Sequence, residues 1–166
     1  MAVLSSFSAL VATYLNNSSN AKRLKIQSDL EKDKNRENLR LLKCEELYLT
    51  ILKWKSNVFK IHMDWVSFVD GNIDRNELIK KIDTLDITNE ILNLHVTIGV
   101  YFPSLKADFA SCQDKLKPAN KVYFSAQKNE ISDKRKAKSI IINASKEFEN
   151  NVDELLSKIS SIANFR

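Results

Sequence analysis

LYLTILKWKSNVFKIHMDWVSF, Leu47 to Phe68, is the stretch that decides the fold. Leu47, Ile51, Trp54, Val58, Ile61, Trp65 and Phe68 follow one another at alternating steps of four and three, and every one is apolar. Residues three and four apart lie above one another on an α-helix, so this spacing turns one continuous stripe toward a core. Tyr48, Leu52 and Phe59 widen the stripe, and its mean period of about 3.5 is that of a coiled-coil seam. No glycine or proline interrupts Lys22 to Val69. The spacing therefore predicts a first helix of about 45 residues, roughly 70 Å long.

Upstream the character changes. Lys22 to Lys43 carries eight basic and four acidic residues. Asp29–Lys32, Glu31–Lys34, Asp33–Arg36 and Glu37–Arg40 place acid before base at i,i+3, which supports a solvated helix. Asn16 to Asn20 reads as a polar hinge. Before it, Ala2 to Leu15 (AVLSSFSALVATYL) contains no charge, and Val3, Leu4, Phe7, Leu10, Val11, Tyr14 and Leu15 keep helical spacing. A helix of that length spans about 21 Å, short of a hydrocarbon core of about 30 Å, and no basic residue precedes it as a signal peptide requires. Two uses remain open: insertion at a membrane, with the basic residues behind it on the cytoplasmic side, or packing on protein as an amphipathic helix. The division expected is residues 1–20 as an apolar segment with its hinge, and 21–166 as a single helical domain.

Downstream, Asp70-Gly71-Asn72-Ile73 is a turn, and Asp74 three before Glu77 is a capping-box pattern opening the second helix. Leu78, Ile82 and Leu85 line one face. The stripe restarts in shifted register as Ile87, Ile91, Leu94, Ile98 and Tyr101, so Asp83 to Asp86 is a candidate break. Pro103 ends that helix, and Ser104 can cap a third with Leu105, Phe109, Cys112 and Leu116 inward. Pro118 must kink or stop it. A fourth helix is expected from near Ile131, with Ile141, Ala144, Phe148, Val152, Leu155, Ile159 and Ile162 inward. The fold class is all-α: an elongated antiparallel bundle with a long first helix and an N-terminal apolar helix.

Composition agrees. A chain of 166 residues with 43% hydrophobic and 28% charged residues can bury a core. Two glycines and two prolines leave almost nowhere to turn, which excludes strand-rich and glycine-loop nucleotide folds. The net charge of +5 is a mild excess, compatible with polyanion binding without demanding it. Cys44 and Cys112 fall on apolar stripes, as core thiols or as a disulfide clamping two helices. The sequons at Asn16, Asn17 and Asn143 stand without any other mark of secretion.

Asp70-Gly71-Asn72-Ile73-Asp74-Arg75-Asn76-Glu77 looks like the back half of a calcium loop, but the first and third ligand positions would be Val66 and Phe68, which carry no oxygen. His62 and His95 lack carboxylate or thiol neighbours at metal spacing and read as boundary residues. No phosphate loop, zinc-protease or nucleophile-elbow motif is present. Lys134, Arg135, Lys136 and Lys138 form the densest basic cluster, at a helix start where the dipole disfavours them. That cluster is the candidate site for nucleic acid or anionic lipid. Trp54 and Trp65, eleven apart on one face, are core anchors, or interface hot spots if the stripe extends past the bundle.

The order of features, with Ala2 to Leu15 apolar, Lys22 to Lys43 charged and helical, and Tyr101-Phe102-Pro103 closing a later helix, resembles small uncharacterised bacterial helical proteins. That resemblance implies a membrane-anchor-like N-terminus and no activity. Family members carry a longer, glycine-containing span. The expectation is a non-enzymatic helical interaction or scaffold protein without cofactor or metal, in the bacterial or phage cytoplasm, reaching the inner membrane if residues 2–15 insert. Its partner would be another protein or a second copy, through Phe7, Leu10, Val11, Tyr14, Trp54 and Trp65. A membrane surface is a further partner, and nucleic acid is the less favoured one, through the basic cluster.

Overall fold

A computed structural model describes the backbone of residues 2–128 and 130–164 and the side chains of residues 16–128 and 130–163. The chain is all-α, with no strand among the described residues: α1 (Ala2–Asp70), α2 (Arg75–Asp83), α3 (Ile87–Tyr101), a 3₁₀ turn (Pro103–Leu105), α4 (Lys106–Asp114), α5 (Lys117–Gln127) and α6 (Lys134–Asn164). It divides into two compact units, Met1–Leu42 and Lys43–Arg166.

In the first unit every described side chain from Asn16 to Arg40 is exposed. The hinge expected at Asn16 to Asn20 is helical, so α1 has 69 residues in place of about 45. Asn and Ser cost a helix only about 0.5 kcal/mol each, and no glycine or proline stands there to break it. Asp29–Lys32 at 3.9 Å and Asp33–Arg36 at 3.8 Å are among the ion pairs expected. Both are solvated and contribute little.

The second unit is an antiparallel helical bundle built from α1 beyond Lys43, α2 and α3, α4 and α5, and α6. Cross-links along the helices give the directions. Lys55 meets Asp153 at 2.6 Å and Asp70 meets Lys138 at 2.5 Å, so α1 and α6 run oppositely. Lys158–Asp108 at 2.6 Å, Ser111–Asn151 at 3.0 Å and Lys115–Glu147 at 3.2 Å do the same for α4 and α6. Lys43 lies over the Tyr101 ring while Lys53 reaches Glu90 at 2.9 Å, so α3 also opposes α1.

Local sequence explains each reversal. Gly71 takes a φ of 83°, open to glycine at no steric cost. Its N–H donates to Phe68 O and the Asn72 N–H to Ser67 O, the pair of hydrogen bonds that closes a helix C-terminus. Asp74 accepts from the Glu77 N–H at 2.9 Å, as the capping pattern predicts. The break at Asp83 to Asp86 is present between α2 and α3. Ser104 does not cap a helix: Pro103 to Leu105 forms a 3₁₀ turn with no side-chain cap, because the chain is still turning after Pro103. Pro118 falls in the first turn of α5, where its missing N–H costs nothing. The last helix starts at Lys134 and not near Ile131, because the Asp133 carboxylate accepts from the Lys136 N–H at 3.0 Å and fixes the start there. Ile131 packs instead against the core.

Two hydrophobic clusters fill the unit. One holds Cys44, Leu47, Ile51, Trp54 and Val58 of α1 against Leu94 and Ile98 of α3, Phe109 and Cys112 of α4, and Phe148 to Ile159 of α6. The other holds Trp65 and Val69 against Leu78 of α2, Val122 and Ala126 of α5, and Ala137 and Ile141 of α6.

Candidate interaction surface

The tryptophans are core residues, not surface hot spots. Trp54 is fully buried, edge-on to Phe148 at 4.8 Å and tilted against Phe109 at 5.3 Å. Trp65 is buried beneath Tyr123, stacked at 4.3 Å, with Phe68 edge-on at 5.7 Å. The stripe that carries them is consumed within the chain. The side chains of Phe7, Leu10, Val11 and Tyr14 lie outside the described residues.

The basic cluster is distributed over several surroundings. Lys138 donates to Asp70 at the C-terminus of α1. The Lys134 ammonium lies 4.0 Å from where a Cβ on Gly71 would stand, over the same helix end. Carbonyls there carry negative partial charge, so two lysines unfavourable to the dipole of α6 favour that of α1. Lys136 turns into an open groove of about 490 Å³ between α5 and α6, with Lys117, Lys121, Glu130 and Asp133 on its walls. Arg135 is exposed. Mixed signs in that groove, and a capping role for Asp133, leave no concentrated positive field.

The cysteines and histidines lie in different surroundings. Cys44 and Cys112 are buried in the first cluster without a disulfide. Burial, with Asp108 adding to it, pushes the Cys112 thiol up to about 11, so it is protonated at neutral pH. His62 is not at a boundary but buried, and desolvation lowers it to about 4. Its Nδ1 and the Tyr123 hydroxyl have no hydrogen-bond partner, and burial raises the Tyr123 phenol. His95 is exposed, with Nε2 at 3.2 Å from Gln113 Nε2 and its ring edge-on to Phe109. No group of three His, Cys, Asp or Glu poised for a metal occurs among the described residues.

What stands out is α3. Its only charged residue, Glu90, is turned inward and buried, accepting from Asn57 Nδ2 at 2.9 and 3.0 Å and from Lys53. The carboxylate sits in the first turn, where the dipole favours it, and its hydrogen bond holds the Lys53 ammonium above its ordinary range. With Glu90 withdrawn, the exposed residues of α3 are Thr88, Asn89, Leu92, Asn93, His95, Val96, Val100 and Tyr101. No Asp, Glu, Lys or Arg is among them, which is true of no other α-helix among the described residues. Leu92, Val96 and Val100, at 59%, 55% and 66% exposure, stand at i, i+4 and i+8 and form one outward ridge.

The periodicity of Ile87, Ile91, Leu94, Ile98 and Tyr101 identifies the inner face and passes over this outer one. The signal that could have found it is the absence of Asp, Glu, Lys and Arg from Ile91 to Leu105. A helix apolar on two sides has one side more than its own core needs. Among the described residues no helix is long and apolar enough to cross a membrane. No family model, curated protein or solved structure matches the chain.

Proposed function

We propose that this chain is a non-enzymatic helical interaction protein that binds a protein partner through the outward face of α3. The observation that carries this is the Leu92–Val96–Val100 ridge, three half- to two-thirds-exposed aliphatic residues on a helix with no exposed charge. Each buries only part of its side chain in the monomer. Complete burial of a Val or Leu is worth about 1.5–3 kcal/mol, so a partner that covers the ridge recovers a large share of that for each residue. The bundle acts as a rigid support, because the inward side of α3 is fixed by Leu94, Ile98 and the Asn57–Glu90–Lys53 network. We place the protein in the cytoplasm, with residues 2–15 as the segment that would bring it to the inner face of a membrane.

The test is site-specific photo-cross-linking in the native host. A photoreactive residue at position 96 should give a discrete protein adduct. The same residue at Ile142, an exposed aliphatic position on α6, should not. Absence of any adduct at 96, or equal adducts at both positions, would remove the reading.

A further inference from the structure

We infer that the cavity beside Trp65, where α1, α2 and α5 meet, binds a small aromatic acid: a single ring bearing one carboxylate that pairs with Arg75. The cavity holds about 160 Å³. Apolar cavities of about 150 Å³ in proteins admit benzene, so this one fits a single six-membered ring and little more. Trp65 and Leu78, both buried, form its inner wall, with Phe68 and Ile82 half-buried beside them. Arg75, Ile79 and Asp83, all exposed, stand at its mouth. No residue of α3 lines it, so the site is separate from the α3 face.

The walls select a flat ring. Trp65 and Phe68 are edge-on to one another, with 87° between their planes. Two rings at right angles make a corner where a third can stack on one and meet the other edge-on, the arrangements that aromatic pairs prefer. Tyr123, stacked on Trp65 at 4.3 Å, is not part of these walls, so its contact does not compete with a ligand.

The mouth selects the charge. Arg75, Leu78, Ile79, Ile82 and Asp83 keep helical spacing, so one face of α2 forms a side of the cavity. Arg75 opens α2 and Asp83 closes it, about 12 Å apart along the axis. Each stands at the end of the helix where the dipole disfavours it. Among the described residues neither side chain has an ion-pair or hydrogen-bond partner. A guanidinium takes a carboxylate through two parallel hydrogen bonds, and the first turn of α2 adds its own positive potential. Asp83 repels a carboxylate at the far end, which orients the ring with its acid at Arg75 and disfavours a second acid. The net charge of +5 favours this anion over a cationic ring. Lys81 reaches Asp64 at 3.4 Å and ties α2 to α1 beside the site.

The experiment is a benzoate titration of the full chain followed by proton–nitrogen correlation NMR. The chain has two tryptophans, and Trp54→Phe assigns their indole N–H signals. Benzoate should move the Trp65 signal with half-saturation at about 1 mM and leave the Trp54 signal in place. Benzylamine, which reverses the charge, should bind at least about tenfold more weakly. Cyclohexanecarboxylate, which keeps the charge and removes the aromatic ring, should bind about threefold more weakly or worse. Arg75→Gln should weaken benzoate about tenfold. Ile79→Trp, at a position 45% exposed, should abolish binding by placing a ring in the cavity. Circular dichroism checks that both variants are folded, and if Ile79→Trp is not, Arg75→Gln and the three probes decide. No saturation by about 20 mM overturns the inference, as do equal shifts of both indole signals. So does benzylamine or cyclohexanecarboxylate matching benzoate, or benzoate binding unchanged in Arg75→Gln or in a folded Ile79→Trp.

Discussion

Trp54 and Trp65 come from the same stripe of the same helix, yet they sit in different kinds of core. Around Trp54 the packing is closed: Phe109 and Phe148 meet its ring, and Leu47, Ile51, Leu94, Ile98, Val152, Leu155 and Ile159 are buried with it. Around Trp65 the buried set is smaller and includes two small residues, Ala126 and Ala137. Ile61, Val66, Phe68, Ile73, Ile82 and Tyr123 are only partly buried there, and a cavity of about 160 Å³ opens beside Trp65, Phe68, Leu78 and Ile82. Buried polar atoms without a hydrogen-bond partner occur on both sides, Trp54 Nε1 at the first and His62 Nδ1 and the Tyr123 hydroxyl at the second. Equal sequence signals, eleven residues apart, do not imply equal packing. What differs is what other helices bring: long aromatic and branched residues from α4 and α6 at one end, alanines at the other.

The largest effect that tests this contrast is truncation of the two tryptophans. Trp54→Ala should cost about 3–5 kcal/mol of unfolding free energy, because close neighbours cannot collapse into the space. Trp65→Ala should cost less, near the lower end of that range, since the open surroundings can relax or admit water. Urea denaturation of both variants measures the difference, and a larger loss for Trp65→Ala would reverse the ranking of the two cores.

A pH effect is the next in size and belongs to the second region. Buried neutral, His62 has a folded value of about 4 against an ordinary 6.5. Above pH 6.5 neither folded nor unfolded chain protonates it, and it has no influence on stability. As pH falls through 6.5 the unfolded chain takes up a proton that the folded chain refuses, so stability declines until about pH 4, where the folded form also protonates. At about 1.4 kcal/mol per pKa unit the full decline attributable to His62 is on the order of 3 kcal/mol. His62→Leu should flatten that part of the stability profile between pH 6.5 and 4. An unchanged slope in the variant would mean that other groups set the pH dependence of this end.

The smallest effect sharpens the same contrast at its boundary. Leu78 enters the second cluster from α2, a helix of nine residues held at its start by the Asp74 cap. Asp74→Ala should cost about 1 kcal/mol, and hydrogen exchange should quicken in α2 and the Trp65 region while amides near Trp54 keep their protection. Uniform acceleration through the bundle would show that the two clusters open as one.

Sequence by itself determined the class and most of the punctuation. The alternation of four and three from Leu47 to Phe68, the glycine at position 71, the cap at Asp74, the break near Asp83 to Asp86 and the stop at Pro103 all act within a few residues, so local chemistry settles them; Pro118, expected to kink or stop the third helix, instead stands in the first turn of α5 after α4 has ended at Asp114. It also overreached locally: Asn16 to Asn20 is helical, since weak helix formers without glycine or proline do not break a helix, and Ser104 caps nothing. What only the tertiary structure decided is where long-range partners stand. Lys138 finds Asp70 across 68 positions, and Lys134 lies over the same helix end, so a basic cluster in sequence is partly consumed by an electrostatic complement in space. Trp54 is a core residue because α4 and α6 close over it. The α3 ridge is a surface because no other helix of the unit covers its second apolar side. Periodicity fixes which residues share a face, but whether that face is covered depends on neighbours distant in sequence.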